Sequence, residues 1–188
     1  EKERQGALAA GVDVKAVKSV PIAVKSSGAI RVENQAQLHP MRYLQALARQ
    51  IDGDGSFVFE GSLVSDFAQG IVQVESPAGK FSVHAPDIVF ATHHPISTRF
   101  LLHTKIAAYR SYAMAARLTD PSAVPDGLFW DMDDPYHYIR TQEIDGIRYL
   151  IVGGEDHKVG HVKRTDECFE RLENYARENF GNLSWLHR

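Results

Sequence analysis

Between positions 40 and 51 the apolar residues fall at Leu44, Leu47, Ala48 and Ile51, the i, i+3, i+4, i+7 spacing of a helix with one apolar face. Pro40 suits a first helical position because that residue needs no backbone N–H, and Asp52-Gly53-Asp54-Gly55 ends the run. A second helix is predicted over 165–180, where Phe169, Leu172, Ala176 and Phe180 share a face, Asp166 and Glu167 sit in the first turn, and Gly181 closes the end. Residues 1–10 are rich in helix formers and stop at Gly11, which reads as the tail of a helix.

Elsewhere the period changes to two, or to short apolar runs bounded by turn residues, which is the pattern of strands. Such runs occur at 22–25 and 29–33, around Ser26-Ser27-Gly28, and again at 57–59, 63–67, 71–74, 81–83 and 88–91, with Pro77-Ala78-Gly79-Lys80 as a hairpin turn. A long β-prone stretch covers 106–118. Three further strands are predicted at 128–132, 136–141 and 148–152, the last two joined by an Asp145-Gly146 turn. The resulting class is α+β: a mixed, mainly antiparallel sheet with flanking helices.

Composition narrows the function more than the fold. With 188 residues, 44% of them hydrophobic, the chain can bury a substantial core and is neither disordered nor fibrous. Its net charge is -3 and its 21 Lys and Arg are scattered, so no basic stripe suits a nucleic acid. Cys168 is the one cysteine, which excludes an internal disulfide and a cysteine-rich metal site and fits a reducing compartment. No apolar run approaches the ~20 residues needed to span a bilayer. The expectation is therefore a cytoplasmic protein without a nucleic-acid or membrane partner.

Three stretches could carry chemistry. The run Asp87-Ile88-Val89-Phe90-Ala91-Thr92-His93-His94-Pro95 is an apolar strand that ends in small residues and turns, and its plain reading is a buried strand. Arg148-Tyr149-Leu150-Ile151-Val152 runs into Gly153-Gly154, a pair that lets backbone approach a ligand ring but also serves tight turns. His157 and His161 would share a helix face and could hold zinc, yet Lys158-Val159-Gly160 between them disfavours a helix, so no metal site is expected. A P-loop and a strand-Gly-x-Gly-x-x-Gly-helix are both absent, as are a nucleophile elbow and an HExxH motif. The chain holds no complete catalytic set, and no catalytic residue is assigned.

Taken in order, the segments resemble the interior of the FAD-dependent oxidoreductases of the D-amino-acid oxidase and glycine oxidase type. The resemblance rests on His39-Pro40-Met41-Arg42-Tyr43-Leu44 with Leu47-Ala48, then Gly61-Ser62-Leu63-Val64, then Asp87-Ile88-Val89-Phe90-Ala91-Thr92. His93 stands where that family usually has a glycine, and Asn34-Gln35-Ala36-Gln37-Leu38-His39-Pro40 is similar to relatives that carry a C-terminal Rieske iron–sulfur module, although the two Cys and two His of a Rieske site are not here.

The resemblance implies a division into 1–33 as the start of a substrate-domain lobe, 34–100 as an incomplete part of the FAD-binding domain, and 101–188 as the substrate-domain sheet with its C-terminal helix. It implies FAD contacts at Val64, Ala91, Thr92, Gly153 and Gly154. The phosphate-holding loop would belong to chain preceding Glu1, so the sequence reads as the interior of a larger enzyme, with FAD bound by the parent and poorly by this part alone. The implied chemistry is oxidation of an amine or amino-acid-like C–N bond by hydride transfer to the flavin. Candidate substrate-binding residues are Arg110, Tyr112, Trp130, Tyr136, Tyr138 and Arg140, with Arg117 beside them, and alternation puts Tyr136, Tyr138 and Arg140 on one face. The competing reading is a non-enzymatic scaffold whose sheet surface contacts a protein.

Overall fold

A computed structural model describes residues 1–93, 106–181 and 183–187 of the chain. The elements in order are α1 (Lys2–Ala9), β1 (Val14–Val17), β2 (Ala29–Val32), α2 (Pro40–Ile51), β3 (Leu63–Ala68), β4 (Ile71–Ser76), β5 (Gly79–His84), β6 (Tyr109–Arg117), β7 (Leu128–Trp130), β8 (His137–Ile144), β9 (Ile147–Lys158), α3 (Asp166–Phe180) and β10 (Ser184–His187). They form two compact units, one made of Glu1–Gln37 with Ala107–Arg188 and the other of Leu38–Ile106.

The first unit is built on a five-stranded antiparallel sheet of order β10-β6-β9-β8-β7. Successive side chains on a strand point to opposite faces. One face therefore collects Met114 and Ala116 of β6, Ile139 of β8, and Leu150 and Val152 of β9, all buried. The helix α3 covers this face with Cys168, Leu172 and Ala176, which are fully buried. The expected apolar stripe of α3 is present, but Phe169 and Phe180 lie at its half-buried margin, and Cys168, not expected as part of the stripe, is fully buried within it. The β8–β9 turn follows the Asp145-Gly146 signal: both residues have positive φ, 52° and 75°, and Ile144 pairs with Ile147.

A small antiparallel hairpin, β1 with β2, completes this unit with α1 beside β1. Here two expectations are corrected. Residues 22–25 form no strand; Ile22 and Val24 pack as coil against the apolar cluster under the sheet. The partner of β2 is instead β1, a four-residue segment too short and too interrupted by Lys15 to announce itself. Strand β10 was likewise not expected; it adds to the sheet edge beside β6 through Ser184–Arg117 and Trp185–Ala116 pairs.

The second unit contains α2 and the antiparallel sheet β3-β4-β5. Helix α2 begins as expected: Pro40 occupies the first turn, and the His39 ring Nδ1 accepts the Arg42 backbone N–H at 3.4 Å. The β4–β5 turn is the expected one, with Ser76 paired to Gly79 across Pro77-Ala78. Residues 57–59 and 88–91 are not strands. Phe57 and Phe59 stack on each other in an irregular segment, and Phe90 packs on Phe67 at 4.5 Å while Val89 is exposed. His94, Pro95 and Arg99 lie outside the described residues. No helix of the described residues is long and apolar enough to cross a membrane.

Candidate functional site

The chemistry-bearing side chains of the first unit divide between the two faces of its large sheet. A β-bulge makes the division. In β9, Tyr112 pairs with Gly154 and Arg110 with His157, so Ser111 stands opposite two residues, Glu155 and Asp156. Gly154 has φ 141° and Glu155 φ 56°. The extra residue resets the alternation: Glu155 turns under the sheet toward α3, Asp156 emerges on the opposite face, and His157 returns to the α3 side.

Beneath the sheet lies a buried polar network. Asp131 accepts both the backbone N–H of His137 at 2.8 Å and ring Nδ1–H at 2.9 Å. The imidazole is stacked on Tyr175 of α3, with centroids 3.9 Å apart and planes within 9°. Its Nε2 lies 3.4 Å from Glu155 Oε1, an ion-pair distance, without meeting hydrogen-bond geometry. Glu155 in turn accepts from Arg171 Nε at 2.6 Å, and Arg171 reaches Cys168 Sγ at 3.2 Å. A buried carboxylate needs such partners, because leaving water without them costs on the order of several kcal/mol.

Tyr112 belongs to the same side. Its ring meets Phe169 edge-on at 4.9 Å, and its hydroxyl lies 2.8 Å from His157 Nε2. His157 Nδ1 lies 3.0 Å from the carbonyl of Lys158, an acceptor only, so Nδ1 carries the proton and Nε2 accepts the Tyr112 O–H. Burial pushes the Tyr112 phenol up, the Cys168 side chain adds to the rise, and Arg110 opposes it. His157 thus serves Tyr112, and His161 is an exposed turn residue.

The opposite face carries Trp130 on β7, Tyr138 and Arg140 on β8, and Ser111 on β6, with Tyr136 and Asp156 at one end. Trp130 pairs with Tyr138 and Leu128 with Arg140, so these side chains form a row. Ser111 Oγ–H donates to Asp156 at 2.6 Å. The rings of Tyr136 and Tyr138 lie 6.5 Å apart, and Arg140 donates to Gln142 at 3.0 Å. Burial raises the Tyr138 phenol, with Tyr136 and Asp156 adding and Arg140 opposing. Arg117, at the far end of β6, is exposed.

Of the six residues expected to contact substrate, then, Trp130, Tyr136, Tyr138 and Arg140 share a face, whereas Tyr112 is buried on the α3 side and Arg110, paired with His157, stands on that side too. Gly153 and Gly154 lie within β9 and not after it. A Cβ at Gly153 would overlap the ring of Tyr138, and one at Gly154 would overlap the Tyr136 carbonyl. Neighbouring protein accounts for both glycines. In the second unit, Val64 adjoins a bulge at which Ser65 is left unpaired, and Ala91 and Thr92 are exposed in irregular chain.

His137, Glu155, Arg171 and Tyr175 were not foreseen. The alternation of β8 marks His137 as a core-face position alongside Ile139 and Thr141, but nothing in the sequence links it to Asp131 or to α3. Asp131, Asp133 and His137 offer ligand atoms within 4.8 Å of one another, the one such group among the described residues, although the His137 Nδ1 is already engaged by Asp131.

Tyr175 gives a measurable consequence. Burial pushes its phenol well above the ordinary range, and Asp131 and Asp133 push in the same direction. The folded protein therefore keeps this proton at a pH where the unfolded chain, with tyrosines near ~10, has lost it. Stability is full below that unfolded value and falls as pH rises above it, because the native state then binds more protons. Tyr175→Phe keeps the stack on His137 and should flatten the decline in urea midpoint between about pH 10 and 11.5. An unchanged slope would remove Tyr175 as its source.

Comparison with known proteins now fixes the class. The family model of FAD dependent oxidoreductases, DAO, matches residues 2–187, and the chain belongs to that family. It is also similar to a protein of Bacillus subtilis (strain 168) that carries the name of a Rieske 2Fe-2S iron-sulfur protein, YhfW, with 25% identity over 185 residues. That match covers 91% of this chain and 33% of the relative, so the chain spans about a third of the relative's length. No solved structure matches.

Proposed function

We propose that the chain is part of an FAD-dependent enzyme that oxidises an amine or amino-acid-like C–N bond. The observation that carries this reading is the family match along nearly the whole chain. When bound, the flavin supplies the acceptor for a hydride leaving the carbon next to nitrogen. The large sheet then forms the substrate lobe, and its face opposite α3 lies toward the substrate. On that face Arg140 is suited to a carboxylate, and Trp130, Tyr136 and Tyr138 to an apolar wall with polar tips. Arg110 and Tyr112, on the α3 side, hold the sheet end to α3 instead of contacting substrate. In the second unit, Val64, Ala91 and Thr92 flank the adenine side of FAD, and Gly153 and Gly154 set the bulge beneath the substrate face.

The full-length protein should be yellow, with flavin absorbance in the visible blue that shifts or bleaches on anaerobic addition of the right amine. A colourless protein that instead captures a protein ligand would establish the scaffold reading. A Rieske cluster in the same polypeptide is a second proposal, favoured by the name of the Bacillus relative. Cys168 is buried under the sheet against Arg171, so the two Cys and two His such a cluster needs would lie outside this chain. Iron and acid-labile sulfide in equal amounts in the purified protein would support it; their absence would not.

A further inference from the structure

We propose that Asp156, Tyr136 and Tyr138 form a subsite for an alkylammonium cation on the sheet face opposite α3. The inference rests on the reading of the substrate as an amine and names the groups that would recognise its charged nitrogen.

The position of Asp156 is the first argument. Without the bulge at Gly154 and Glu155 its side chain would alternate to the α3 side; with it, the carboxylate emerges beside Ser111. The second argument is charge. Asp156 is half-buried and accepts from Ser111 Oγ–H at 2.6 Å, and burial followed by the charge of this carboxylate raises the Tyr136 phenol, which keeps its proton. Among the described residues no Lys, Arg or His forms an ion pair with it, whereas the adjacent Glu155 is paired with Arg171 at 2.6 Å. A carboxylate whose hydrogen-bond partner is a neutral hydroxyl keeps a negative potential that a cation can neutralise.

The third argument is the surrounding surface. The rings of Tyr136 and Tyr138 lie 6.5 Å apart at a 36° tilt, and Tyr138 lies across Gly153, where any side chain would displace it. Aromatic faces beside a carboxylate attract organic cations, which shed water more readily than metal ions do. One carboxylate and two neutral phenols are too few hard ligands for calcium or magnesium, which take six or more oxygens. The chemical class is therefore an alkylated or protonated amine.

The test is calorimetric titration of the FAD-loaded full-length protein with tetramethylammonium chloride at constant ionic strength, using sodium chloride as the control. Saturable binding is expected in the native protein, weakened about tenfold or more in Asp156→Asn. Tyr136→Phe, which keeps the ring, should bind within about threefold of native, and Tyr136→Leu should bind more weakly than Tyr136→Phe. No saturable binding, or equal affinity in native protein and Asp156→Asn, overturns the proposal. If Asp156→Asn loses its circular-dichroism spectrum, the comparison of Tyr136→Phe with Tyr136→Leu decides, and equal affinities in that pair overturn it. Flavin absorbance recorded on the same samples separates the two readings. A yellow protein indifferent to the cation sinks the subsite alone, and a colourless protein that binds it sinks the oxidase reading alone.

Discussion

Gly154→Ala is expected to lower the unfolding free energy of the large-sheet unit by about 3–5 kcal/mol, through a backbone collision combined with a disfavoured φ. A methyl group at this position would overlap the Tyr136 carbonyl oxygen and stand 2.9 Å from His137 Cα, and φ at 141° is a conformation that residues with a Cβ rarely adopt. Neither obstacle can rotate away, since both belong to main chain. Gly153→Ala is the contrasting case: its methyl would meet the ring of Tyr138, a side chain that can swing toward solvent, so a loss of about 1–2 kcal/mol is expected. Both tryptophans, Trp130 and Trp185, belong to this unit, which makes urea unfolding followed by tryptophan fluorescence a direct readout. Equal losses for the two variants would mean that the bulge relaxes, and the rigid placement of Glu155 and Asp156 on opposite faces would fall with it.

That bulge also shows where the sequence stops being readable. Paired glycines at 153 and 154 signal close approach by something, and FAD was the expected neighbour; the structure brings the Tyr138 ring of β8 against Gly153 and the carbonyl of Tyr136, just before β8, against Gly154. Local sequence registers the missing Cβ but cannot name the neighbour, which arrives from fifteen residues away through strand pairing, Tyr138 with Gly153. The same limit divides the substrate candidates. Alternation along one strand correctly grouped Tyr138 with Arg140, because period two is a property of the strand itself. It could not relate β6 to β8, and Tyr112, equally tyrosine and equally in a strand, turned out to face α3.

Elements with a strong internal signal were legible almost to the residue. Pro40 and the 3.6-residue period located α2, Asp145-Gly146 located the β8–β9 turn, and Gly181 the end of α3. Segments whose order depends on a partner were not: β1 and β10 are strands only because β2 and β6 lie beside them. Apolar content alone misled at 57–59 and 88–91, where phenylalanines pack as isolated pairs without a ladder. The buried chain from Asp131 through His137 and Glu155 to Arg171 left no trace in sequence, since its members come from four separate segments.

Periodicity reports that a helix face seeks burial, and burial decides what the face is worth, which gives the second large effect. Leu172 of α3 is fully buried among Met114, Leu150, Val152 and Cys168, and Leu172→Ala should cost about 3 kcal/mol, within the range for truncating a core leucine. Leu47 of α2 has the same place in an equally regular pattern, yet 44% of its surface is exposed, and Leu47→Ala should change stability by no more than about 0.5 kcal/mol. Urea titration resolves the pair by probe as well as by size. Leu172→Ala should move the tryptophan transition to lower urea at unchanged slope, because Trp185 packs at the edge of the same cluster. Leu47→Ala should leave that transition where it was, since neither tryptophan belongs to its unit. Should Leu172→Ala shift it no further than Leu47→Ala does, α3 does not seal the sheet, and the network of His137, Glu155 and Arg171 that depends on that seal would be open to water.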